Sequence, residues 1–174
     1  MSKFLRMTSL VATVAAVAVA TPAVAAPVNA QTDANAQVEI LKGLTLTSTQ
    51  DLDLGTVVLS GSGAWTNAVV SIARDGTFDC DGGSSTKVTC SGTAVEASYD
   101  VTGSAGYDVD IASGPVTLTN ANSDTLTLTP DHDASVTLDV NGDATFGVGG
   151  SVSVDSTTPD GVYTGTFAVT ADYQ

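Results

Sequence analysis

From Val28 to Ile40 the even positions, Val28, Ala30, Thr32, Ala34, Ala36, Val38 and Ile40, are small or apolar, and the odd positions, Asn29, Gln31, Asp33, Asn35, Gln37 and Glu39, are all polar. A period of two puts successive side chains on opposite faces of an extended chain, so this stretch predicts a β-strand with one apolar face. Leu44 and Leu46 keep the parity, Lys42 interrupts it and Gly43 marks a bend or bulge, so two strands are expected here. The pattern returns from Gly161 to Gln174, where Tyr163, Gly165, Phe167, Val169, Ala171 and Tyr173 alternate with Thr164, Thr166, Ala168, Thr170 and Asp172. It predicts one amphipathic strand, central or nearly so in its sheet, with Tyr163, Phe167, Val169 and Tyr173 facing the core. A sequence that stops within such a strand leads to the expectation that the strand's neighbour comes from elsewhere.

Between these two stretches, strands are predicted over Leu52–Leu59, Trp65–Arg74, Lys87–Cys90, Thr93–Thr102, Tyr107–Ala112, Val116–Thr119, Thr125–Thr129, Ser135–Val140 and Thr145–Val154. Clusters such as SGSG, GSAG, NANSD and NGD separate them. Short strands with frequent turn signals argue for an all-β fold, an antiparallel Ig-like sandwich. Asn141-Gly142 is a type I′ signal, predicting a hairpin between the strand of Val136, Leu138 and Val140 and that of Phe146 and Val148. The core is expected to collect Leu52, Leu54, Val70, Ile72, Tyr99, Val101, Val109, Ile111, Leu118, Leu126, Leu128, Val136, Leu138, Phe146, Val148, Phe167 and Val169. Trp65 and Tyr173 are placed at its margin, where a polar tip can reach a partner.

Lys3 and Arg6, the apolar run Met7–Ala20 and the small-x-small site Ala23-Val24-Ala25 read as an export signal over residues 1–25, with Val28-Asn29-Ala30 a second candidate cleavage site. The apolar run is short for a membrane span of roughly 20 residues and has no stop-transfer flank, so a transmembrane anchor is the weaker reading. Residues 26–43 are then an N-terminal extension and residues 44–174 one sandwich domain. The protein is expected in the periplasm, at the cell surface or outside the cell. After residue 25 only Lys42, Arg74 and Lys87 oppose 19 acidic residues, a surface that repels nucleic acid and anionic lipid. Cys80 and Cys90 lie in FDCDGGSSTKVTC, so in an oxidising compartment they predict a local disulfide. A zinc pair lacks further ligands, His132 being the only histidine.

No catalytic constellation is evident. His132 in PDHDAS has no nucleophile elbow or oxyanion loop near it, and Glu39 and Glu96, the two glutamates, do not form an acid-base pair on any visible pattern. Calcium is the best of the site readings, through Asp79 and Asp81, Asp131 and Asp133, or Asp139 and Asp143, although none follows an EF-hand or β-roll order. Turn-forming aspartate is the competing reading. No cofactor, metal or catalytic residue is assigned.

Three stretches together resemble a known family: DLDLGTVV at Asp51–Val58, ASYDVTGSAGYDVDI at Ala97–Ile111, and FGVGGSVSV with DGVYTGTFAVTADYQ from Phe146 onward. They look like the bacterial domain-of-unknown-function family 4402, found in secreted alphaproteobacterial proteins. Leu54 stands where the family more usually shows Phe, and the Cys80/Cys90 loop looks like an insertion. The resemblance brings no established activity. It implies likeness to spore-coat-U-type and chaperone–usher pilin domains, sandwiches that lack one strand and are completed by a neighbour's N-terminal extension. On that reading Val28, Ala30, Ala34, Ala36, Val38 and Ile40 form the donor-strand face, the partners are homologous subunits, and a periplasmic chaperone and an outer-membrane usher serve assembly.

Two readings of function follow. The first is a fimbria-like surface subunit assembled by β-strand complementation. The second is a self-contained secreted or outer-membrane-associated domain, with the extension a polar linker. A periplasmic hydrolase is a remote third.

Overall fold

The alternating apolar positions sort into strands whose pairings among the described residues are all antiparallel. A computed structural model describes residues 32–83 and 86–174; the residues read as an export signal with its two candidate cleavage sites, Val28 and Ala30 among them, lie outside these. Residues Glu39–Gln174 form one compact unit. Its strands are β1 (Thr45–Gln50), β2 (Thr56–Leu59), β3 (Ala68–Ile72), β4 (Phe78–Cys80), β5 (Val88–Ser91), β6 (Ala97–Thr102), β7 (Asp108–Ser113), β8 (Val116–Thr119), β9 (Thr125–Asp131), β10 (Ser135–Thr137), β11 (Asp143–Val154) and β12 (Val169–Tyr173). A single 3-10 turn at Asp81–Gly83 is the only helical element among the described residues. The fold is an all-β antiparallel sandwich, as the strand pattern predicts.

One sheet runs β1-β6-β11-β3-β4, with β9 also on β11 and β8 on β9. Its axis is β11. Residues Asp143–Val148 of this strand pair with β6, Gly149–Val152 pair with β9 and Gly150–Val154 with β3, so residues 150–152 lie between β9 and β3. The second sheet is β10-β7-β12, and β2 pairs with β5 apart from both. The sheets enclose two apolar clusters. The first contains Val101, Val109, Ile111, Leu138, Phe146 and Val148; the second contains Ala68, Val70, Val88, Leu128, Val152 and Val154. Each buried Leu, Val or Ile contributes about 1.5–3 kcal/mol of transfer free energy. Tyr99 and Phe146, opposite each other on β6 and β11, stack at 5.6 Å and close the first cluster at its margin.

Every expected core position is buried or packs partly buried against a cluster. Several expectations need correction. Val140 is 91% exposed, and Val136 and Leu138 do not face β11 in a hairpin, because β10 pairs with β7 in the other sheet. The Asn141-Gly142 turn does form, but only Gly142 takes a positive φ, so it is not type I′; Asp139 closes it by accepting the N–H groups of Asn141 and Asp143. Residues 161–174 are not one strand. Thr164 bridges Thr119 of β8, and the chain then crosses to pair with β7 from Val169 onward, so β12 is an edge strand and not a central one. β4 joins the list unexpectedly. Thr32–Lys42, by contrast, takes no strand.

Candidate functional site

Two strand edges face one core. β1 pairs only with β6 and β12 only with β7, and no ladder among the described residues joins β1 to β12. Leu44 and Leu46 on one side and Phe167, Val169, Ala171 and Tyr173 on the other pack, only partly buried, against the first cluster. This seam is the candidate site. Such edges carry unpaired N–H and C=O groups beside exposed apolar surface, which another strand can satisfy.

The C-terminal stretch is built to reach the seam from the opposite sheet. Phe167 packs against both clusters, and the residues around it keep their inward parity while the backbone changes sheets. Tyr163 belongs to neither cluster; its hydroxyl donates to the Pro159 carbonyl at 2.8 Å, and burial followed by the charges of Asp124 and Asp160 raises its pKa. Gly161 has φ +151°, and a β-carbon there would press on Asn120. Asn120 is buried and accepts the N–H groups of Asn122 and Asp124 while its amide reaches Asp124, so it pins the loop that leads β8 into β9.

At the end of the seam Tyr173 donates to the Lys42 carbonyl at 2.8 Å and accepts the Ser104 N–H at 2.6 Å. The Tyr107 hydroxyl donates to the Glu39 carboxylate, and that bond, ahead of burial, raises the Tyr107 pKa. Sequence reasoning placed Tyr173 at a margin but missed its partners, since nothing local links residue 42, 104 or 107 to it. Of the expected donor face, Ala34, Ala36 and Val38 lie in a segment without secondary structure, and Ile40 is 85% exposed.

The other candidate positions are held by turn and surface contacts. Asp79 accepts the Gly82 N–H, Asp131 and Asp133 bracket Arg74 at 3.2 and 2.9 Å, and Asp139 caps its own turn. Among the described residues no three His, Cys, Asp or Glu side chains are grouped to hold a metal. Nδ1 of His132 contacts the Asp133 carbonyl. Cys80 and Cys90 form the expected disulfide, which ties β4 to β5 and so fastens the β2-β5 pair to the main sheet. An open concavity of about 550 Å³ over β3, β4, β9 and β11 is lined by Ser71, Thr77, Asp79, Thr129, Asp131 and Ser151 among others. Among the described residues no helix is long and apolar enough to cross a membrane.

The family model for the domain of unknown function DUF4402 matches residues 44–173, which span β1 to β12. The chain belongs to the DUF4402 family. No curated protein matches it as a relative. The matched region begins at Leu44, one residue before β1, so β1 and β12 both lie within it and the segment before residue 44 lies outside the match.

Proposed function

We propose that this DUF4402 protein is an exported surface-fibre subunit that assembles by β-strand addition, the Val28–Ile40 segment of one copy filling the seam between β1 and β12 of the next. One observation carries this reading: the edges of β1 and β12, each without a second strand partner among the described residues, border a single core cluster. An added strand would pair with those edges and set Ala34, Ala36 and Val38 toward Leu44, Leu46, Val169 and Ala171. Small donor side chains suit a seam whose borders are already partly buried. Its odd positions, Asp33, Asn35 and Gln37, would face water.

An open apolar seam is an aggregation hazard until it is filled. That gives a physical reason for cover during export, and hence for a periplasmic chaperone and an outer-membrane usher as partners. Likeness to spore-coat-U-type and chaperone–usher pilin domains supports the reading by analogy of fold.

The test is assembly of the exported full chain carrying Ala34→Asp or Ala36→Asp, with Asn35→Asp as the control. A carboxylate pressed into the seam loses its hydration, so both alanine variants are expected to give folded monomers where wild type gives heat-sensitive ladders on a denaturing gel. Asn35→Asp is expected to assemble normally. A wild-type protein that stays monomeric at high concentration after purification from its own cell surface defeats the proposal.

A further inference from the structure

A segment tethered to its own domain competes for that domain's seam at an effective concentration of roughly millimolar. A subunit that donates its extension to a neighbour therefore needs something that keeps the extension out of its own seam. The end of the seam where β1 begins and β12 finishes carries a closed ring of hydrogen bonds. The Lys42 N–H donates to Ser104 Oγ at 2.7 Å, the Ser104 N–H donates to the Tyr173 hydroxyl at 2.6 Å, and that hydroxyl donates to the Lys42 carbonyl at 2.8 Å. Both polar backbone groups of Lys42 are thereby committed. Three residues farther back, Glu39 bonds to Tyr107, whose ring meets Tyr173 edge-on at 5.8 Å.

Gly103 makes room for the ring. A β-carbon there would overlap the Tyr173 hydroxyl and stand 2.8 Å from Leu44 Cδ2. Residues 39–42 are thus held against the connection between β6 and β7. A reversal at Lys42-Gly43 that brought the preceding residues back into their own seam would take Lys42 off both of these partners.

We infer that the Lys42–Ser104–Tyr173 ring is a clasp that bars the extension from its own subunit's seam and so directs it to a second copy of this chain. The inference rests on the strand-addition reading above. Its consequence is a change of partner: with the clasp weakened, the same extension fills the same seam within one molecule.

The experiment compares wild type with Tyr173→Phe, which keeps the ring packing and removes the hydroxyl, and Ser104→Ala, which frees the Lys42 N–H without touching β12. Each exported full chain is sized by light scattering, and hydrogen exchange is followed over Thr32–Ile40. Wild type is expected to form polymers. Both variants are expected to raise the monomer-to-polymer ratio by about tenfold, the equilibrium weight of one to two net hydrogen bonds, and their monomers are expected to protect Thr32–Ile40 independently of concentration. Polymers as abundant as wild type in both variants overturn the clasp and leave strand addition standing. So do variant monomers with an unprotected extension. A monomeric wild type with an unprotected extension overturns both ideas. If Tyr173→Phe fails to fold, Ser104→Ala decides by the same readings.

Discussion

The carbonyl oxygen of Ile72 occupies the space that a β-carbon on Gly149 would need. The obstacle is backbone, held in the β3-β11 ladder from Gly150 opposite Ile72 to Val154 opposite Ala68, so no side-chain rotation can relieve it. Gly147 stands in the same relation to the Arg74 carbonyl. The run Phe146-Gly147-Val148-Gly149-Gly150 thus gives up side chains where β11 changes from β6 to its β3 and β9 partners, and fills the core with Phe146 before the glycines and Val148 between them.

Gly149→Ala is therefore expected to destabilise the fold by about 1–3 kcal/mol or more, the cost of forcing atoms into a closed core. Gly61→Ala, at a site with nothing within 4 Å of the new carbon and no unusual φ, is the matched control and is expected to be neutral. Urea unfolding of the two variants measures the difference. Equal midpoints would mean that the ladder can spread without cost.

Strand parity was readable along most of this chain because a half-buried strand must alternate, and Val116–Thr119 was bounded correctly from alternation and its flanking turns. Sheet membership was not readable. Asn141-Gly142 announces a turn through its local chemistry, yet a turn does not state whether the strands it joins lie side by side or in facing sheets, and β10 lies on β7. The crossing at Phe167 was hidden for a related reason: the inward parity of Val169, Ala171 and Tyr173 continues that of Phe167 across the change of sheet. β4 was missed because Phe78-Asp79-Cys80 is too short to show a period and is held by β3 and by the Cys80–Cys90 bond. Of the site, the apolar rows on both sides of the seam were visible in the sequence. The hydrogen bonds at its end were not, since they join residues 42, 104 and 173.

Acid should act through the aspartate turns. The Asp139 carboxylate accepts the N–H of Asp143 and then that of Asn141, and these bonds hold its pKa below the ordinary 3.8; Thr77 and Thr157 do the same for Asp75 and Asp155. A carboxyl whose native pKa is depressed contributes stability that is complete above its unfolded value and is lost as pH falls through the native value. The loss therefore begins below about 3.8 and ends beneath the depressed native pKa. Relief of repulsion in a chain of formal charge −14 works in the other direction over the same range, so the raw pH curve mixes the two. Asp139→Asn separates them, because the amide keeps an acceptor oxygen but no charge. Its melting temperature is expected to lie below wild type near neutral pH and to meet it once both side chains are neutral. A gap that does not change with pH would show that the Asp139 charge contributes nothing.

Phe167 links the two clusters, and its removal should be felt in both sheets. It packs against Val169 and Ala171's cluster under β7 and β12, and against the cluster that takes in Leu118 and Leu126 of β8 and β9. Phe167→Ala is expected to cost about 3 kcal/mol, the low end for a core phenylalanine because this one is only partly buried. The cost alone does not establish the link, since any core residue lowers stability. Hydrogen exchange does: amides of β12 and of β8 should lose protection together, while Phe167→Leu, which keeps most of the apolar volume, should restore both. Loss confined to β12 would reduce Phe167 to an anchor for the edge strand and leave the crossing to backbone contacts such as the Thr164–Thr119 bridge, whose two bonds measure 2.8 and 3.1 Å.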